Sequence, residues 1–246
     1  MRNLYLITKE DFVNLIKNPM WVFYAAAFPL LLAAILGYLT RNMYGNGITS
    51  YDYYGITLMI YSILNSGMTS ANAFLEERIK KPNMRIIYAP GSAKNIFLSK
   101  IIASFLFSFL FHGADMAVLH FVFHTSWGTP GYLFLMFGIL EFLAVTLGVM
   151  LCCVVKTESM TNQIQSIVVN ILAILGGLLF SMDGYGSFAR KISLCSPVKW
   201  VADAVFQMIY DHNMRLFWPV AGGLAVCAVI MLLICGRTFR REDCIC

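Results

Sequence analysis

The chain has 246 residues, of which 59% are hydrophobic and 13% charged. A soluble globular chain averages about 45–50% apolar and about 25% charged, so this composition excludes a soluble enzyme, a disordered tail and a collagen-like or disulfide-stapled module. The net charge of +5 comes without a basic stripe interleaved with stacking aromatics outside the apolar runs, which excludes a nucleic-acid partner.

Residues 1–18 predict an amphipathic helix. At 100° per residue Met1, Leu4, Tyr5, Thr8, Phe12, Leu15 and Ile16 share one face, and Arg2, Lys9, Glu10, Asn14 and Lys17 the other. That pattern suits a helix lying in the headgroup plane. Its mixed character and the long apolar run behind it do not match a cleaved signal peptide. Asn18-Pro19 marks the bend into the membrane.

Six spans are expected at about 20–40, 52–74, 97–122, 131–155, 161–182 and 216–236, each near the roughly 20 residues needed to cross a bilayer. They occupy just over half of a single transmembrane domain, 1–246, and leave no block for a soluble catalytic domain. Trp21, Tyr38, Tyr51, Trp127, Tyr132, Trp200 and Trp218 fall near the proposed interfaces, where amphipathic rings prefer to lie. Thirteen Lys and Arg residues fall on the side of the N-terminus, the second and fourth connections and the tail, against five on the other. This asymmetry puts both termini in the cytoplasm. The Cys-Ile-Cys end reads as a plain cytosolic tail, since Cys244 is not placed for prenylation.

Two connections stand out. The second, 75–96, is cytoplasmic, basic and partly apolar. It reads as a helix end, a short helix and a Pro-Gly turn, serving either as a docking surface for a soluble partner or as a headgroup anchor. The fifth, 183–215, is external, and its amphipathic stretch from Pro197 to Phe206 is too short to span. It predicts a pair of interfacial or re-entrant helices.

Polar side chains inside the spans normally face protein or water. In the second span Tyr54, Thr57, Tyr61, Asn65, Thr69 and Asn72 form one stripe; in the fifth, Gln163, Ser166, Asn170, Gly177 and Ser181 form another. Such stripes suit a polar pathway, with Tyr61, Asn65, Gln163 and Asn170 as its lining, or tight helix packing. The third span carries Ser104, Ser108, His112 and Asp115 on one side, and Glu141 lies in the fourth. His112, Asp115 and Glu141 are an interhelical hydrogen-bonded group, with His112 or Asp115 bridging to Glu141, or a proton or metal site. Zinc sites usually need more firm ligands, and HExxH is missing. Neither GxxxxGK[ST] nor GxGxxG occurs, so no nucleotide cofactor is expected on this chain.

The second connection carries a resemblance to a known family. Glu77-Arg78, Ile86-Ile87, Ala89-Pro90-Gly91-Ser92 and Ser99-Lys100 fall in one ungapped register over about 24 residues. They resemble the Glu-Arg pair, apolar pair, Thr-Pro-Val-Ser turn and Gly-Lys opening of ABC-2 type transporter permeases. Lys81-Pro82-Asn83-Met84 stands where that family commonly has a Gly-Thr-Leu-Glu-like stretch. Leu194-Cys195-Ser196-Pro197 is similar to the family's Ser-Pro segment before the last span. The resemblance implies an all-α, type V exporter-like architecture: a lateral helix, six transmembrane helices, a coupling segment and external helices. It also implies a dimer of permeases, either two copies or two related chains, in the bacterial cytoplasmic membrane. Two separate ATP-binding subunits would carry ATP and Mg. They would act through Glu77, Arg78, Arg85, Ile87, Tyr88 and Pro90, and the chain would be a transport subunit without catalytic residues. The class serves antibiotic-peptide immunity, drug export and lipid export. The leading reading is an exporter permease. The alternative is a passive channel or proton-coupled carrier built on the His112, Asp115 and Glu141 cluster.

Overall fold

In the computed structural model, which describes residues 2–44, 48–75, 93–179 and 186–238, a break at Asn18 separates α1 (Arg2–Lys17) from α2 (Pro19–Leu39). Asn18 is extended (φ −88°, ψ 107°), and its side-chain oxygen accepts the Met20 amide at 3.1 Å. Pro19 opens the helix, where its missing N–H costs nothing. A second proline shapes α2 further along. Pro29 has no N–H to give to the Ala25 carbonyl and crowds it, and the turn before it, Phe23–Ala27, widens into a π-helix. Single π turns of this kind recur at functional sites.

The chain continues through α3 (Ser50–Leu75), α4 (Ala93–Phe123), α5 (Pro130–Val155) and α6 (Glu158–Leu175). The short α7 (Gly186–Ser193) and α8 (Pro197–Tyr210) precede the last helix, α9 (Phe217–Thr238). The described residues contain no strand. Thr49 and Asp52 start α3 as a reciprocal capping box. The Thr49 amide donates to Asp52 Oδ2 at 3.1 Å, and the Asp52 amide to Thr49 Oγ1 at 3.1 Å. Asp52 Oδ1 also accepts the Ser126 amide at 3.0 Å. The cap therefore ties the loop after α4 to the head of α3.

Four helices, α2, α4, α5 and α9, are long and apolar enough to cross a membrane. The other two expected spans, α3 and α6, run 26 and 18 residues. Their polar stripes keep them from meeting the same apolar standard. α3 tolerates its stripe because it is the central helix, packed by α2, α4, α5 and α6. α6 ends earlier than the expected 182. Gly177 takes φ 71°, and the Leu178 amide reaches back to Ala173 O at 3.0 Å. This Schellman closure stops the helix at a glycine. Ser181 lies outside the described residues.

α3 and α5 cross closely. A Cβ built on Gly148 would sit 2.1 Å from the Gly67 carbonyl oxygen, and one on Gly67 would sit 2.5 Å from Ala144 O. Ser70 Oγ donates across the same crossing to Val145 O at 3.0 Å. Ala144-xxx-Gly148 and Gly67-xxx-Ala71 are the small-residue spacings that let two backbones meet in a membrane.

The described part of the fifth connection forms two short helices, α7 and α8. Val198, Val201, Val205 and Met208 of α8 are buried in the main core. Trp200 and Trp218 stay exposed, but Trp127 departs from the interfacial placement. Its indole is buried and donates to Met116 O at 3.0 Å, because the loop after α4 folds inward under the cap of α3.

Candidate functional site

A cavity of about 390 Å³ lies between α2, α3, α4 and α6. Trp21, Tyr24, Ala25 and Phe28 of α2 form its apolar wall. The π turn at Phe23–Ala27 brings that wall round. The opposite wall is polar. α3 contributes Tyr61, Ser62, Asn65, Ser66, Thr69 and Asn72; α4 contributes Ser108 and His112, and α6 contributes Asn162 and Ser166. Position spacing of three and four puts these α3 residues on one face.

Of the four residues predicted for a pathway, Tyr61 and Asn65 line this cavity. Asn170 sits behind it, where its Oδ1 accepts the Tyr61 hydroxyl at 3.0 Å and its amide donates to Ser166 Oγ at 3.2 Å. Gln163 is exposed and donates to Ser159 of its own helix at 3.4 Å. The packed face of α6 ends between Asn162 and Gln163. Asn162 faces Asn72 through a reciprocal amide pair at 3.0 and 3.1 Å. The stripes therefore act both ways: part of each seals α3 to α6, and part lines the cavity.

His112 of the polar wall is buried, and Asp115 and Glu141, also buried, lie outside the lining. His112 Nδ1 lies 2.7 Å from Glu141 Oε2, and His112 Nε2 lies 3.0 Å from Ser62 Oγ. Three helices are thus linked by one imidazole. With Nδ1–H donated to the carboxylate, Nε2 accepts from Ser62; with both nitrogens protonated, Nε2–H donates to it. Asp115 Oδ2, Glu141 Oε1, Ser104 Oγ and Ser108 Oγ have no hydrogen-bond partner among the described residues. No group of three or more His, Cys, Asp or Glu suited to a metal occurs among the described residues.

At the other end of α4, Lys100 is fully buried and pairs with Asp11 of α1, which Ser99 Oγ also approaches at 3.5 Å. Burial pushes the Asp11 carboxyl above the usual carboxylate range, and Lys100 pulls it partly back. Lys100 counts among the basic charges of the second connection, yet its ammonium faces protein. α1 is therefore bolted to the base of α4, directly after the connection expected to couple. Glu77, Arg78, Arg85, Ile87, Tyr88 and Pro90 all lie outside the described residues.

A bundle with four helices fit to cross a membrane and a cavity walled by polar side chains defines a multi-pass membrane protein with a built interior site. The ABC-2 type transporter family matches residues 2–210, and the chain belongs to that family as a permease, the membrane component of a transporter. It is also similar to the linearmycin resistance permease protein LnrN of Bacillus subtilis (strain 168), with 21% identity over 172 residues. That match covers 70% of this chain and 43% of the relative, so the chain spans less than half of the relative's length.

Proposed function

We propose that this chain is the permease subunit of an ATP-driven exporter that moves a peptide, drug or lipid-like cargo out of a bacterial cell. Six helices, α2, α3, α4, α5, α6 and α9, cross the membrane. Both termini are cytoplasmic, α1 lies in the headgroup plane, and α7 and α8 lie outside. A second permease copy or a related permease completes the path, and two separate ATP-binding subunits supply the energy. The observation that carries this reading is the interior cavity lined by Tyr61 and Asn65 in a chain of this family. The resistance named for the Bacillus relative favours outward movement.

In this scheme closure of the ATP-binding subunits pushes on residues 75–96. Arg78 and Arg85 pair with acidic groups, and Ile87 and Tyr88 fill an apolar groove. The buried Asp11–Lys100 pair passes the displacement to α1 and α4 together. Reversing charge at Arg78 and Arg85 is expected to abolish cargo-stimulated ATP hydrolysis in proteoliposomes that hold the permease and its ATPase. Stimulation that survives the reversal removes the coupling assignment.

A second reading is favoured by one observation: His112 lines the cavity with Glu141 behind it. A carrier driven by protons through this group would give flux without any ATPase. Transport by the chain alone in vesicles with an imposed pH gradient separates the two.

A further inference from the structure

We infer that the cavity between α2, α3, α4 and α6 takes the uncharged, hydroxyl- or amide-bearing part of an amphipathic cargo. This rests on the export reading and names the class of cargo at the same site. Among the described residues, none that lines the cavity is Asp, Glu, Lys or Arg. A charged group entering at membrane depth would lose its water and meet no full countercharge, which is the expensive case. The carboxylates nearby are not on the wall. Glu141 is committed to His112, and neither it nor Asp115 lines the cavity.

What the wall does offer is two-sided. Trp21, Tyr24 and Phe28 present flat apolar surface, suited to a rigid or extended hydrocarbon body. Across from them Ser108 is 1% exposed, and its hydroxyl has no partner among the described residues. An unpaired buried hydroxyl is costly to leave unmade. A cargo hydroxyl or amide both donates and accepts, which is what Ser108 needs. Ser62 is the second contact. Its hydroxyl is oriented by His112 Nε2 at 3.0 Å, and His112 is oriented in turn by Glu141. Both ring nitrogens are occupied, so the imidazole acts on cargo through Ser62 and does not stand in the cavity as a free cation.

The test uses the full chain in nanodiscs, without ATP or an ATPase. Three probes share one dansyl fluorophore and one alkyl spacer but carry a glucamide, a quaternary ammonium or a carboxylate head. Binding is read by energy transfer from tryptophan. The glucamide probe is expected to bind at least about tenfold more tightly than either charged probe. Ser108→Ala is expected to weaken only the glucamide probe, by about fivefold, the worth of one hydrogen bond. Tyr24→Leu, at a half-exposed position of the apolar wall, is expected to weaken the glucamide probe. Equal binding of all three probes, tighter binding of a charged one, no binding, or an unchanged glucamide affinity in Ser108→Ala overturns the inference. Selective glucamide binding without ATP-driven export removes the export reading and leaves this one standing. ATP-driven export of the quaternary ammonium probe in preference to the glucamide does the reverse.

Discussion

At the scale of single residues, two positions carry the interior of this permease. Gly148 is one, because a side chain there would meet the Gly67 carbonyl oxygen at 2.1 Å, with Ser70 Oγ next at 2.5 Å. Backbone in a packed helix cannot swing aside as a side chain can. Gly148→Ala is expected to lower stability by at least about 2 kcal/mol, read as a drop in the thermal unfolding midpoint in nanodiscs. His112 is the other. Its bridge to Glu141 has both side chains at 5% exposure or less. Glu141→Ala strands the imidazole and is expected to cost about 3–5 kcal/mol, while replacing both His112 and Glu141 by Leu recovers most of that loss. A double-mutant cycle on unfolding free energy measures the difference; additive losses would show that the pair does not act as a unit. His112 follows from chemistry visible in the chain, but its partner does not. His112 and Asp115 share a helix face equally well on paper, and only the crossing of α4 and α5 decides which one reaches Glu141.

At the scale of elements, much was legible because local rules govern helix ends. Asn18-Pro19 breaks the chain where a cap and a proline coincide, and helices form over 2–17 and over the two short stretches before the last helix. Thr49-Ser50-Tyr51-Asp52 is a capping signature written in the sequence, and it was the available sign that α3 begins at Ser50. Pro29 was equally visible, but its consequence, the π turn, depends on neighbouring helices accepting a widened α2. The docking of α1 depends on the buried Asp11–Lys100 pair, which has a distinct pH signature. Asp11 is raised from 3.8 by burial, so the folded protein holds that proton more tightly than the unfolded chain does. The contribution of Asp11 to stability is then present below its ordinary value and is lost as pH rises through its raised one. This sign is opposite to that of a surface carboxylate paired with lysine. The unfolding midpoint of the wild type, compared with Asp11→Asn, is expected to fall across that interval, and a rise there would contradict the burial of the pair.

At the scale of the whole molecule, topology gives a direct test. Cys195 is exposed in the segment assigned to the outside, Cys152 and Cys153 are buried, and Cys227 is exposed on α9, where the bilayer shields it from charged reagents. A membrane-impermeant maleimide applied to intact cells is expected to label Cys195, and Cys195→Ser is expected to abolish labelling. Labelling that persists through Cys244 or Cys246 would put the tail outside and reverse the orientation. The count of spans belongs to the same scale. Hydropathy alone separates α2, α4, α5 and α9 from α3 and α6, because the latter two carry their polar groups for one another and for the cavity.

The sequence by itself determined that this is a helical membrane protein of the ABC-2 type, where its helices start, and which faces are polar. Those properties are set by composition, by proline and caps, and by a periodicity that each helix carries alone. The tertiary structure decided that Tyr61 and Asn65 line a cavity while Gln163 turns away, that Lys100 faces Asp11 and not the headgroups, and that Gly67 meets Gly148. Each of these depends on the rotation and depth of one helix against another. Such choices follow from packing whole faces together, and no single helix encodes them.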